Sequence, residues 1–176
     1  MMEKEQNQGM NYRTLSENEA YLLESVKSQD LLVFGVDEVE ALSDWGKTRI
    51  HNTLSSLNKK GHIVRIKKDT YSLEKEFFDK SFQVITEAVK PSYISFWTAL
   101  SYHGLTEQQA NVIQLVSTKQ FDDFEVKNKK IEISTFKPKR FFGYDEIDGA
   151  IMAVKEKALV DSLSMLHKSG GLEEYN

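Results

Sequence analysis

The chain has 176 residues, of which 40% are hydrophobic and 28% charged, with a net charge of −4 and no cysteine. That balance suits one large or two small globular domains and excludes disulfide scaffolds and cysteine-ligated zinc. No run approaches the ~20 apolar residues of a membrane span, and M-M-E-K-E-Q-N-Q-G-M at the start lacks the apolar region of a signal peptide, so a cytoplasmic protein with no membrane partner is expected.

Residues 1–13 are polar and patternless, and are expected to be a disordered tail. Ser16, with Glu19 three residues on, has the form of a capping box. It opens a first helix with Ala20, Leu22, Leu23 and Val26 as its buried stripe, ending near Lys27. Leu31-Leu32-Val33-Phe34 reads as a small strand or as a buried loop. Residues 36–42 follow as a short second helix, with Val36, Val39 and Leu42 at the buried spacing.

Residues 46–60 form the third helix. Steps of about 100° per residue around Ile50 bring Leu54 and Leu57 onto one apolar face. Thr48, Asn52, Ser55 and Lys59 fall opposite, flanked by His51 and Ser56, and no carboxylate stands between Lys47 and Arg65. Gly61 suits the left-handed helix end. Two strand-like runs, 62–66 and 70–73, then surround Lys67-Lys68-Asp69. Three helices and a basic hairpin in about sixty residues predict a winged helix-turn-helix.

The pattern changes after residue 75. Phe77, Phe78, Phe82, Ile85 and Val89 predict one helix that Pro91 ends. Residues 95–103 predict another, stopped by Gly104. Strands are expected at 112–116, at 124–126 and at 131–136, the last two separated by Lys127-Asn128-Lys129-Lys130. A final strand pair, 140–147 with 150–153, turns at Asp148-Gly149. Residues 154–167 predict a helix with Ala158, Leu159, Ser162, Leu163 and Leu166 on one side, Glu156 complementing its dipole, and Lys157 and Asp161 facing solvent one turn apart. The expected fold is α+β: a winged helix-turn-helix over 14–75, then a small α+β domain over 76–176 with a mostly antiparallel sheet.

Charge is unevenly spread. Residues 1–43 carry 3 Lys/Arg and 9 Asp/Glu, residues 44–73 carry 7 and 2, and residues 74–176 carry 13 and 16. The one basic block coincides with the third helix and the hairpin, and local charge decides where a polyanion docks. Lys47, Thr48, Arg49, His51, Asn52, Ser55, Ser56 and Lys59 on the helix, with Arg65, Lys67 and Lys68 on the hairpin, are the candidate contacts to double-stranded DNA. His51 and Asn52 suit base edges, whereas Thr48, Ser55 and Lys59 suit phosphates. The plain alternative is an amphipathic helix with a solvated face, beside lysines that keep a strand edge from aggregating. Lys137, Lys139 and Arg140 form either a second nucleic-acid or partner patch or a strand edge with snorkelling lysines. Tyr93, Trp97, Tyr102 and His103 form either a core with a polar rim or a partner surface.

Catalytic patterns are sparse. Histidines 51, 62, 103 and 167 lack metal-ligand spacing, and neither G-x-S-x-G nor a P-loop is present. Glu125-Val126-Lys127 is a nuclease-like E-x-K, but Asp122 and Asp123 stand too near in sequence to complete a shared metal site. The expectation is a non-enzymatic protein with no cofactor and no metal.

Three blocks carry a family resemblance. Pro91-Ser92-Tyr93-Ile94-Ser95, followed by Ala99-Leu100-Ser101-Tyr102-His103-Gly104-Leu105, is the first. Phe136-Lys137-Pro138-Lys139-Arg140-Phe141-Phe142-Gly143-Tyr144 is the second, and Ala153-Val154-Lys155-Glu156-Lys157-Ala158-Leu159-Val160-Asp161 the third. In this order, behind a winged helix, they resemble the AbiEi family of bacterial and archaeal regulators, the antitoxins of type IV abortive-infection toxin–antitoxin pairs. Lys155 stands where the family often has proline, and the chain stops at Asn176, where family members usually continue, so a truncated or short regulator is expected. The resemblance implies an N-terminal domain that represses its own operon and a C-terminal domain that counteracts a nucleotidyltransferase-like toxin. The expected function is therefore sequence-specific DNA binding at an operator. A protein-interaction module and, behind it, a metal-dependent nuclease are the alternatives.

Overall fold

The structure, a computed structural model, describes residues 14–106 and 112–165. The tail read at 1–13 and the helix end with Leu166 and His167 lie outside the described residues. The N-terminal part runs α1 (Glu17–Ser28), α2 (Val36–Leu42), α3 (Lys47–Lys60), β1 (Ile63–Lys67) and β2 (Thr70–Leu73). The remainder runs α4 (Glu74–Asp79), α5 (Ser81–Ala88), β3 (Ser92–Ile94), α6 (Phe96–Tyr102), β4 (Val112–Ser117), β5 (Phe124–Val126), β6 (Lys129–Thr135), β7 (Tyr144–Ile147), β8 (Ala150–Ala153) and α7 (Lys155–Ser164). The class is α+β.

Local chemistry explains the first three helices. Ser16 Oγ accepts the Glu19 N–H at 3.3 Å, and Glu19 Oε2 accepts the Ser16 N–H at 2.6 Å, so the capping box forms at α1. Leu31 to Phe34 stay a loop, from which Phe34 alone exchanges two backbone bonds with Tyr71 of β2. Gly35 follows because a Cβ there would sit 2.3 Å from the Asp69 carbonyl oxygen. Gly61 ends α3 at φ +80°, where glycine alone is unstrained.

The six-stranded sheet has the order β5-β6-β4-β3-β8-β7. Its pairings are mostly antiparallel, as expected, but the sheet is mixed: β4 runs parallel to β6 from Val112↔Lys130 to Ser117↔Thr135, and β3 runs parallel to β8. The reason is topological. Strand β5 reverses the chain on the outside of β6, so β6 must run the same way as β4. Strand β3, within the first resemblance block, was not foreseen as a strand.

Three other expectations need correction. The helix read across Phe77 to Val89 is two helices, broken at Lys80 (φ −130°, ψ 41°) and ending at Ala88, ahead of Pro91. The break buries Phe77 and leaves Phe78 54% exposed. Strand β7 starts only at Tyr144, because Pro138–Arg140 form a short 3₁₀ turn. Helix α7 is rotated from its expected setting: Ala158 and Ser162 are buried as read, but so are Lys157 and Asp161, while Leu159 and Leu163 are 45% and 69% exposed. A hydrophobic stripe was a poor guide because the buried side of α7 meets polar groups.

The apolar side chains form two clusters. One joins α1, α2 and α3 to the hairpin through Leu22, Val26, Phe34, Ile50, Leu54, Ile63 and Leu73. The other surrounds the sheet and includes Val64 and Ile66. Alternation along β1 therefore sends successive side chains into different cores, and the hairpin is shared by both.

Candidate nucleic-acid interface

Helix α3 buries Ile50, Thr53, Leu54 and Leu57 and exposes Lys47, Thr48, Arg49, His51, Asn52, Ser55, Asn58 and Lys59. Its first turn has no acid, and Lys59 and Lys60 stand in its last. The outward face thus offers hydroxyls, an amide, an imidazole and cations, with no carboxylate of its own. Acids of α2 and the hairpin turn border its N-terminal end: Asp37, Glu38 and Asp69 share a small cavity with Lys47 and His51. Glu40 stands 3.8 Å from Lys47, and both are exposed, so that pair constrains Lys47 little.

Not every predicted contact remains available. Ser56 Oγ donates to Glu19 Oε1 at 2.7 Å and is turned into the α1–α3 contact. Arg49 donates to Asn18 Oδ1 and stacks its guanidinium 4.2 Å over the Trp45 ring, which also packs on Tyr21. Both residues belong to the flank of the helix that faces α1. Thr48, His51, Asn52, Ser55 and Lys59 stay on one exposed face, with Lys47 at its edge.

On the hairpin, Arg65 and Lys68 are exposed and Lys67 is half-buried. Asn58 of α3 accepts the Arg65 N–H at 3.1 Å, which ties the hairpin to the helix beside the candidate face. The Lys67 ammonium lies 5.3 Å from the Phe121 ring centroid. Burial, and then the Lys119 charge, pull its pKa down. Lys67 is therefore packed towards the sheet rather than extended into solvent.

Sequence reasoning missed the group that holds α3 against α1. Glu19 is buried, although it sits in the first turn of α1. Besides closing the capping box, it receives Lys60 Nζ at 2.6 Å and Ser56 Oγ. Burial raises its pKa, but the hydrogen bonds from Lys60, Ser56 and Ser16 outweigh that and hold it at about 2. The signal was present in Ser16 and Glu19, but a capping box does not announce a partner forty residues away.

The second basic patch is divided as well. Lys137 and Lys139 are exposed. Arg140 packs 4.1 Å over Phe136 and donates to Ser164 at 2.7 Å. Its carbonyl accepts Lys157 Nζ at 3.0 Å. Lys157 and Asp161, read as a solvent-facing pair, are 6% and 0% exposed and stand 2.8 Å apart. Tyr93 Oη and Ser95 Oγ donate to Asp161 Oδ2 at 3.0 and 2.9 Å. Burial, then the Asp161 charge, push the Tyr93 phenol well above its ordinary pKa. Tyr93 is thus a core residue, whereas Tyr102 stays exposed.

The E-x-K pattern does not assemble. Lys127 is in the β5–β6 turn at φ +48° and pairs with Glu74 at 2.9 Å. Asp123 Oδ1 accepts the Ile133 N–H at 2.8 Å. Among the described residues, no three His, Asp or Glu side chains gather at metal-binding distance, and no helix is long and apolar enough to cross a membrane. No protein-family model matches the chain, and no curated protein matches it significantly.

Proposed function

We propose that the chain is a sequence-specific DNA-binding regulator, with α3 as the recognition helix and the β1–β2 hairpin as the wing of a winged helix-turn-helix. The observation that carries this reading is the exposed face of α3, on which Thr48, His51, Asn52, Ser55 and Lys59 stand without a carboxylate. A helix seated in the major groove presents side chains of this kind to base edges and phosphates. Asn52 suits a bidentate bond to adenine, and Lys47, Lys59, Arg65 and Lys68 suit phosphates. The resemblance of residues 91–105, 136–144 and 153–161 to AbiEi proteins supports a finer reading. On it, the protein is an antitoxin that represses its own operon and counteracts a nucleotidyltransferase-like toxin.

Duplex binding as a function of salt tests the proposal. Four phosphate contacts give a slope of log K against log salt near about −3.6. Replacing Lys47, Lys59, Arg65 and Lys68 together by Ala flattens that slope, and Asn52→Ala narrows the preference for one duplex sequence over another. Binding that ignores both salt and sequence refutes the DNA reading and leaves a protein partner for this face.

A further inference from the structure

The sheet ends on two edges with different surroundings. On one, β1 lies against β5. On the other, β7 pairs only with β8, and among the described residues no strand lies beyond it. Asp148 and Gly149, both at positive φ, form the two-residue turn, and Ile147↔Ala150 closes it. Asp145 and Ile147 therefore bond inward to β8, and the backbone groups of Tyr144 and Glu146 point outward. The side chain of Asp145 accepts the Glu146 N–H at 2.9 Å, as an outward amide allows.

Tyr144 and Glu146 also share one face of the strand. Both line a groove of about 490 Å³, together with Pro91, Phe141, Ile151 and Glu87. The Phe141 and Tyr144 rings stand 5.0 Å apart along one wall. Charges such as Asp145 and Glu146 are a common protection for a sheet edge. Protection, however, calls for no aromatic-walled groove beside the edge. A free row of backbone groups next to a pocket for alternate side chains is the arrangement by which sheets take up an extended segment.

Charge selects the occupant. Asp145 and Glu146 are exposed on the edge, and Glu87, at the rim, is paired with Lys90. A second copy presenting the same edge would set carboxylate against carboxylate, which is unfavourable, and a nucleic acid would be repelled. We propose that β7 takes up an extended basic peptide segment as a further strand of the sheet. One aromatic or aliphatic side chain of the segment lies in the groove beside Tyr144. A Lys or Arg two residues away faces Glu146. Main-chain bonds to Tyr144 and Glu146 supply the affinity, with Asp145 giving up the Glu146 N–H, and the two side chains supply the choice of segment.

The test uses the intact, ¹⁵N-labelled chain and two synthetic peptides, acetyl-Thr-Phe-Thr-Lys-Thr-amide and acetyl-Thr-Phe-Thr-Glu-Thr-amide. The lysine peptide is expected to give saturable amide shifts centred on residues 144–147, with the glutamate peptide about tenfold weaker, since facing charges change from attractive to repulsive. Glu146→Lys reverses that order while leaving the strand in place. Three results overturn the proposal: no saturable shift at β7, equal binding of the two peptides, or an unchanged order in Glu146→Lys.

Discussion

Asp161→Ala is expected to be among the most damaging single substitutions in the second half of the chain. The carboxylate is completely buried and takes two hydroxyl donors, Tyr93 and Ser95, on Oδ2. Lys157 Nζ lies 2.8 Å from Oδ1, as an ion pair rather than a well-aimed hydrogen bond. Removing the carboxylate leaves the Lys157 cation with the Arg140 carbonyl at 3.0 Å and the Phe142 ring at 4.5 Å, and leaves both hydroxyls without their acceptor. Breaking a buried pair from one side costs about 3–5 kcal/mol, and orphaned hydroxyls place the variant at the upper end of that range. Against a typical total of about 5–15 kcal/mol, such a loss leaves a marginal protein. Asp161→Asn keeps an acceptor and is expected to cost less. The double variant Asp161→Asn with Lys157→Met recovers further, because a thioether packs well among Tyr93, Phe136 and Phe142. Urea denaturation followed by circular dichroism, with the m-value checked for each variant, measures all three. A loss under about 1 kcal/mol for Asp161→Ala, the worth of a surface pair, refutes the buried-network account.

Two further outcomes follow from the N-terminal packing. The Glu19 carboxyl is held at about 2, below its ordinary 4.5, so its contribution is fully present above about pH 4.5 and is lost as pH falls towards 2. Melting temperature should therefore drop over that window in the intact chain, and Glu19→Gln should be less stable at neutral pH with a shallower drop; parallel curves would contradict the assignment. A fragment comprising residues 14–75 uncovers Val64 and Ile66, whose burial lies in the second cluster. At about 1.5–3 kcal/mol for each side chain, that loss is large for a unit of some sixty residues, so the fragment is expected to be unfolded at 25 °C. A dispersed amide spectrum from the fragment would show that the hairpin does not depend on the sheet.

Much of the N-terminal part was legible because its signals are local. The Ser16–Glu19 box, the α2 spacing, the 3.6-residue period of α3 and the glycine at its end each act within one or two turns. Hydrogen bonds and backbone dihedrals over such short distances are set by neighbouring residues. The outward face of α3 follows from the same periodicity, and with it the exposure of Thr48, His51, Asn52, Ser55 and Lys59.

Tertiary structure alone decided the rest, wherever a partner came from far along the chain. Ser56 and Arg49 lie within the predicted basic and polar set, but Glu19 and Asn18 of α1 claim them. The parallel pairing of β4 with β6 depends on β6 entering the sheet between β4 and β5, which no residue in β4 records. Lys157 and Asp161 look like an ordinary exposed i, i+4 pair, yet Tyr93, Ser95 and the Arg140 carbonyl supply the hydrogen bonds that let both charges be buried. Periodicity marks apolar faces because hydrophobic burial is non-directional and additive. A buried ion pair instead needs specific partners at specific distances, and only the folded chain brings those together.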